Sequence, residues 1–133
     1  MRAAADLEVC ELADVWPDLQ MLAPPAVDGH NVSFEYVAAE IAAGRAQVLR
    51  NSDGILILAH RVDFVTLETY LEVWVALGTG PHGMIERYLP EVERVARDLG
   101  AARIVMQSPR LGWLRALPHR WRVTSVTYEC EVQ

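Results

Sequence analysis

Three glycines, Gly78, Gly80 and Gly83, fall in the stretch VWVALGTGPHG with the spacing G-x-G-x-x-G. Glycine lets main-chain N–H groups approach an anion with no Cβ in the way, and a helix N-terminus beside such a turn adds a positive dipole end. The stretch MIERYLPEVERVARDLG follows at once and reads as a helix, so Gly78, Gly80, His82 and Gly83 are the candidates for holding a diphosphate. The same glycines would equally serve a tight strand-to-helix turn with no ligand. Glu72, on the apolar run that leads to them and beside Trp74, is the candidate general base, with burial raising its pKa. Its plainer reading is a carboxylate at a sheet edge or paired with an arginine. His60 ends a strand where a base could sit, and is equally a half-exposed structural histidine.

Other chemistries find little support. His30, His60, His82 and His119 are each more than 20 residues apart, so no metal motif is predicted. Cys10 and Cys130 stand at opposite ends and read as small buried hydrophobes. RLGWLRALPHRWR interleaves Arg110, Arg115, Arg120 and Arg122 with two tryptophans, a pattern that could stack bases or clamp phosphates. It is also an amphipathic helix burying Leu111, Leu114 and Leu117. Residues 1–72 carry twelve acids against four arginines, net −8, and residues 73–133 six acids against eight arginines, net +2. An acidic chain with a basic end argues against a general nucleic-acid binder but allows a phosphorylated ligand there. Every basic side chain is arginine, which reads as codon bias rather than chemistry.

The elements that must position these residues follow from periodicity and turn chemistry. The 133 residues are expected to form one domain over 1–133, long enough to bury roughly two-thirds of the unfolded surface. No apolar run approaches the ~20 residues of a membrane span and no signal peptide is recognisable, so a cytoplasmic setting is expected. LEVCEL reads as a strand, and ADVWPDLQMLAPPAV as a short helix ending before Pro24. Ser33 caps the helix FEYVAAEIAAG, which Gly44 closes. AQVLR and GILILAH flank NSDG, a hairpin signal.

TLETYLEVWVAL is a longer strand with Thr69, Leu71, Val73, Val75 and Leu77 on one face and Tyr70, Glu72, Trp74 and Ala76 on the other. Both faces are largely apolar, which predicts a central strand covered on both sides. Pro90 is expected to kink the helix after the glycines or to start its second half. ARIVMQ is a strand, PRLGWLRAL a short helix, and WRVTSVTYECEV a final strand or strand pair. A mixed sheet covered by helices fits this order. A dinucleotide fold would place the glycines after a first strand, with an acid ending the next one, where this chain has Gln107-Ser108; no Gly-Lys-Ser/Thr follows to make a P-loop.

This order, with a glycine loop joining the fourth strand to the third helix, resembles the GNAT-type N-acyltransferase fold: a central, mostly antiparallel twisted sheet flanked by about four helices. VWVALGTG, VERVARDLGAARIVM, and RLGWLRAL followed by WRVTSVTYECEV are more closely similar to short GNAT-like proteins encoded by tailed bacteriophages. The resemblance implies acetyl-coenzyme A at the glycine loop and no metal. The chain departs from the family's Gln/Arg-x-x-Gly-x-Gly/Ala pattern: Val75 occupies the first position in one frame, and Gly80 and Ile85 the first and last in the other. The family's acid tyrosine would fall at Ala116.

The resemblance and these departures together imply a virion or assembly component with degenerate acyltransferase activity. Its partners would be other phage structural proteins or further copies of itself, without membrane or nucleic acid, in the virion or host cytoplasm. The alternative is an active acyl-CoA-dependent N-acyltransferase, with Glu72 or a water taking the amine's proton.

Overall fold

The Asp-Gly hairpin organises the sheet. Strands β2 (Ala46–Asn51) and β3 (Gly54–Val62) pair antiparallel, and Asn51 opposite Gly54 closes a two-residue turn of Ser52 and Asp53. The structure is a computed structural model that describes residues 7–22, 33–78, 84–106, 121–124, 128 and 130–132, with the main chain alone for 84–87. β1 (Glu8–Cys10) joins the outer side of β2, and β4 (Thr69–Gly78) pairs along the whole of β3, all antiparallel. β5 (Arg103–Met106) lies parallel to β4, giving a five-stranded mixed sheet in the order β1-β2-β3-β4-β5.

Among the described residues three helices cover the two faces, as the apolar character of both sides of β3 and β4 requires. Helices α1 (Leu12–Leu22) and α2 (Phe34–Ala42) pack on one face. There Val15, Leu19 and Val37 meet Val48, Ile55, Ile57 and Val75. Helix α3 (Met84–Asp98) crosses the other face between the parallel strands β4 and β5, burying Tyr88, Leu89, Val92 and Ala96 against Leu56, Leu58, Leu71 and Val73. Each such side chain taken out of water contributes about 1.5–3 kcal/mol, enough for this double core to hold the layers together.

The helix ends follow their sequence signals. The Ser33 hydroxyl accepts from the Tyr36 amide at 3.1 Å. Gly44 (φ 77°) and Gly100 (φ 71°) adopt the left-handed conformation that ends α2 and α3. The Arg45 and Ala101 amides reach back to the carbonyls of Glu40 and Ala96 at 2.9 and 2.8 Å.

Three expectations change. α3 runs as one helix across Pro90, which is exposed while the buried stripe on either side keeps the helix seated. Of the final strand expected over 121–132, residues 121–124, 128 and 130–132 lie in neither helix nor strand, and 125–127 and 129 fall outside the described residues. The two-face assignment of β4 fails beyond Val73, because one residue of the strand bulges. The short helix expected within 109–117 lies outside the described residues. Among the described residues no helix is long and apolar enough to cross a membrane.

Candidate active site

β4 carries one irregularity. Leu58 stands opposite Val73 and Ile57 opposite Val75, so Trp74 has no partner on β3. An extra residue in one strand of an antiparallel pair makes a bulge, which shifts the alternation and sharpens the local twist. Leu71, Val73 and Ala76 consequently pack under α3, whereas Trp74, Val75 and Leu77 pack under α1 and α2. Along the other edge β5 pairs from Tyr70↔Arg103 to Val73↔Met106. The last pair described on this edge is Val73↔Met106, at the residue before the bulge, and residues 107–120 lie outside the described residues.

Glu72 pairs with Val105 of β5, two residues before the unpaired Trp74, and lies on the α2 side. It is half-buried, and the Trp74 indole N–H donates to its Oε1, engaging one of its two carboxylate oxygens. The Tyr36 ring lies 5.5 Å from the Trp74 ring, tilted by 39°. The Arg61 guanidinium stands 5.8 Å from the Trp74 centroid and donates to the Tyr36 hydroxyl at 3.1 Å. Arg61 is braced from behind by Glu40, 3.5 Å away, which also accepts two bonds from Arg45 at 2.8 and 3.0 Å. The Arg45 hydrogen bonds hold the Glu40 carboxyl below its ordinary pKa against the opposing effect of burial, and the charges of Arg45 and Arg61 add to this. A carboxylate with one oxygen oriented, beside two aromatic rings and a fixed cation, can receive a proton from a bound amine.

Solved structures with this arrangement of elements are acetyltransferases. A ribosomal-protein-alanine N-acetyltransferase from Brucella melitensis biovar Abortus superposes with a TM-score of 0.61 at 17% identity, over 98% of this chain and 99% of that one. An aminoglycoside acetyltransferase from an uncultured soil metagenomic sample, solved with sisomicin, gives 0.63 at 10% identity over 96% of both chains. A GNAT family acetyltransferase from Staphylococcus aureus gives 0.61 at 11% identity over 96% and 98%. The fold is the GNAT fold. No protein-family model and no curated protein matches the sequence. None of these likenesses bears on the resemblance to phage proteins.

Within this GNAT fold the residues singled out from sequence separate. Glu72 lies beside the β4 bulge with Trp74, Tyr36 and Arg61. Gly78 ends β4, paired with Gly54 of β3, while Gly80, His82 and Gly83 lie outside the described residues, as do Arg110, Arg115 and Arg120. His60 pairs with Leu71 and follows Leu56 and Leu58 in the alternation of β3, so it faces the α3 side, away from Glu72. Its Nε2 is buried and makes no hydrogen bond among the described residues. Burial raises the Cys10 thiol pKa and the nearby Arg50 partly offsets this. No group of His, Cys, Asp and Glu among the described residues could hold a metal ion.

A cavity of about 340 Å³ lies on the α1 face at the far end of β4, lined by Val15, Asp18, Arg50, Asn51, Ile55 and Leu77 among others. It is distinct from the Glu72 cluster. Tyr36 and Arg61 are the site residues that sequence reasoning missed. Tyr36 stands off the apolar stripe of α2, and Arg61 follows Ala59 on the same face of β3, a pairing visible only once the β3–β4 register is known.

Proposed function

We propose that the protein is an acyltransferase that moves an acyl group from acyl-coenzyme A to an amine. The observation that carries this reading is the Glu72 carboxylate held by Trp74 beside Tyr36 and Arg61, next to the β4 bulge, in a chain of GNAT fold. An uncovered strand edge presents main-chain donors and acceptors to an extended ligand. The edge from Trp74 to Gly78 would hold a pantetheine arm, and Gly78 with the sequence candidates Gly80, His82 and Gly83 would hold the diphosphate. From Glu72 to Gly78 is about 20 Å along the strand, so an extended arm has room between the two positions. Acyl-coenzyme A supplies a thioester, whose acyl carbon bonds to the amine nitrogen as the carbon–sulfur bond breaks.

The chain's own residues prepare the acceptor. The Glu72 carboxylate and the faces of Trp74 and Tyr36 favour a protonated amine on arrival. Nitrogen must then lose two protons: Glu72, its Oε1 held in place by Trp74, takes the first and so frees the attacking lone pair, and the second goes to the departing thiolate, which leaves as the coenzyme A thiol. Arg61 anchors Tyr36 and stacks on Trp74, so the aromatic wall is rigid before the acceptor binds. An amine acceptor is also consistent with the names of the solved neighbours, one of which acetylates a protein alanine. No observation favours a virion or assembly role over this reading.

Titrating acetyl-coenzyme A while following the melting temperature tests it. Binding at 100 times Kd stabilises a folded protein by about 2.7 kcal/mol, a clear upward shift. A melt unchanged at saturating acetyl-coenzyme A, with no thiol released in the presence of amines, overturns the proposal.

A further inference from the structure

The two ends of the glycine segment are tied to one turn. Gly78, the last residue of β4, pairs with Gly54, the residue that ends the β2–β3 turn. Tyr88, four residues after the start of α3, reaches the same turn from the other side. Its hydroxyl donates to Asp53 Oδ2 at 2.9 Å and accepts from Asn51 Nδ2. Asn51 Oδ1 in turn accepts from the Asp53 amide at 2.8 Å, so Asn51, Asp53 and Tyr88 close a ring of hydrogen bonds. Exchanging the Asn51 oxygen and nitrogen would break two members of the ring, which fixes the amide's orientation. The Tyr88 ring itself is buried, 3% exposed, in the core under α3.

This arrangement sets where α3 begins relative to where β4 stops. The end of β4 at Gly78 and the start of α3 at Met84 are thereby both referenced to Asn51–Gly54. A binding element gains affinity when its geometry is fixed before the ligand arrives, because less ordering is left to be done on binding. We infer that Asn51, Asp53 and Tyr88 are positioning residues for the diphosphate of coenzyme A, acting on the separation of β4 from the α3 N-terminus without touching the ligand. The inference rests on the acyl-coenzyme A reading, and it assigns the β2–β3 turn a part in donor binding that its distance from Glu72 would not suggest.

Calorimetric titration of coenzyme A and of pantetheine, which lacks the diphosphate, tests this on the full chain. Tyr88→Phe deletes the hydroxyl and keeps the buried ring; Asp53→Ala removes the acceptor; Asp53→Asn keeps an acceptor oxygen at the same place. Tyr88→Phe and Asp53→Ala are expected to weaken coenzyme A about tenfold and leave pantetheine unchanged, with Asp53→Asn close to the unaltered chain. A merely structural role would weaken both ligands in parallel with the melting temperature, and that result overturns the inference, as does unchanged coenzyme A affinity in Tyr88→Phe and Asp53→Ala. Failure of the unaltered chain to bind coenzyme A overturns the acyl-coenzyme A reading itself and this inference with it.

Discussion

Val73 and Val75 stand two residues apart on one strand yet are buried on opposite faces of the sheet, Val73 in the core under α3 and Val75 in the core under α1 and α2. In a regular strand they would share a face. Each valine truncated to alanine is expected to cost about 2 kcal/mol. Because the two share no core, the double variant Val73→Ala/Val75→Ala should be additive to within about 0.5 kcal/mol in urea denaturation. Leu71→Ala combined with Val73→Ala, both under α3, should deviate by more. Strong coupling between the two valines would mean that the bulge is absent in solution.

Glu72→Gln keeps the shape and the bond from Trp74 but cannot take a proton. Its kcat for acetyl transfer should fall about 100-fold with the melting temperature unchanged, the loss expected on removing a general base. Trp74→Phe retains a ring beside Tyr36 but loses the indole N–H and one of the two fused rings; the Glu72 carboxylate remains, so its effect on kcat should be the smaller of the two. Equal activity of Glu72→Gln and the unaltered chain would remove Glu72 from the chemistry.

Asp63 supports the β3–β4 loop. Its carboxylate accepts from the Val65 and Thr66 amides at 2.8 and 3.2 Å and meets Arg103 at 2.9 Å. Those two amides, followed by Arg103, hold its pKa below the ordinary carboxylate value. The folded chain therefore releases this proton more readily than the unfolded chain, so the stabilisation is present above the unfolded pKa and is lost as pH falls through the folded one. Asp63→Asn should be less stable than the unaltered chain near neutral pH, and the gap should close in acid. Chemical denaturation at a series of pH values reads this directly, and a gap independent of pH would contradict it.

Leu67 in the same loop has φ 63°, a left-handed conformation that costs a side chain about 1–2 kcal/mol, and it is 75% exposed. Its amide donates to the Asp63 carbonyl at 2.7 Å, which holds the loop in that shape. Leu67→Gly should be neutral or stabilising by up to about 1 kcal/mol, the relief of strain offsetting the added freedom of the unfolded chain. A destabilisation larger than that would show that the exposed leucine makes contacts of its own.

Much of this architecture could be read from short-range chemistry. Ser33, Gly44 and Gly100 act within a single turn of the chain, and the two-residue turn is Ser52-Asp53, one position before the Asp53-Gly54 pair, so each signal sits beside its effect. The bulge left no such mark. With both sides of β4 apolar, Val75 suits either face, and an unpaired Trp74 is a main-chain event that side-chain periodicity does not record. Glu72 could be singled out as a carboxylate on a central strand. Its setting could not, since Tyr36 comes from α2 and Arg61 from β3, brought in by a register fixed through long-range pairing. Nothing beside Tyr88 in the sequence marks its hydroxyl, and only the fold reveals that it reaches a turn 35 residues earlier.

The sheet also acts as an insulating partition. Helices α1 and α2 touch one of its sides and α3 the other, so a side chain replaced in one core leaves the contact partners of the other core in place. Under the acyl-transfer reading, the amine is recognised on the α2 side, while the Tyr88 tether that steadies the diphosphate end is rooted on the α3 side. Descendants of such a chain could therefore exchange one amine for another by remodelling around Tyr36 and Trp74 while inheriting an unchanged grip on the acyl donor.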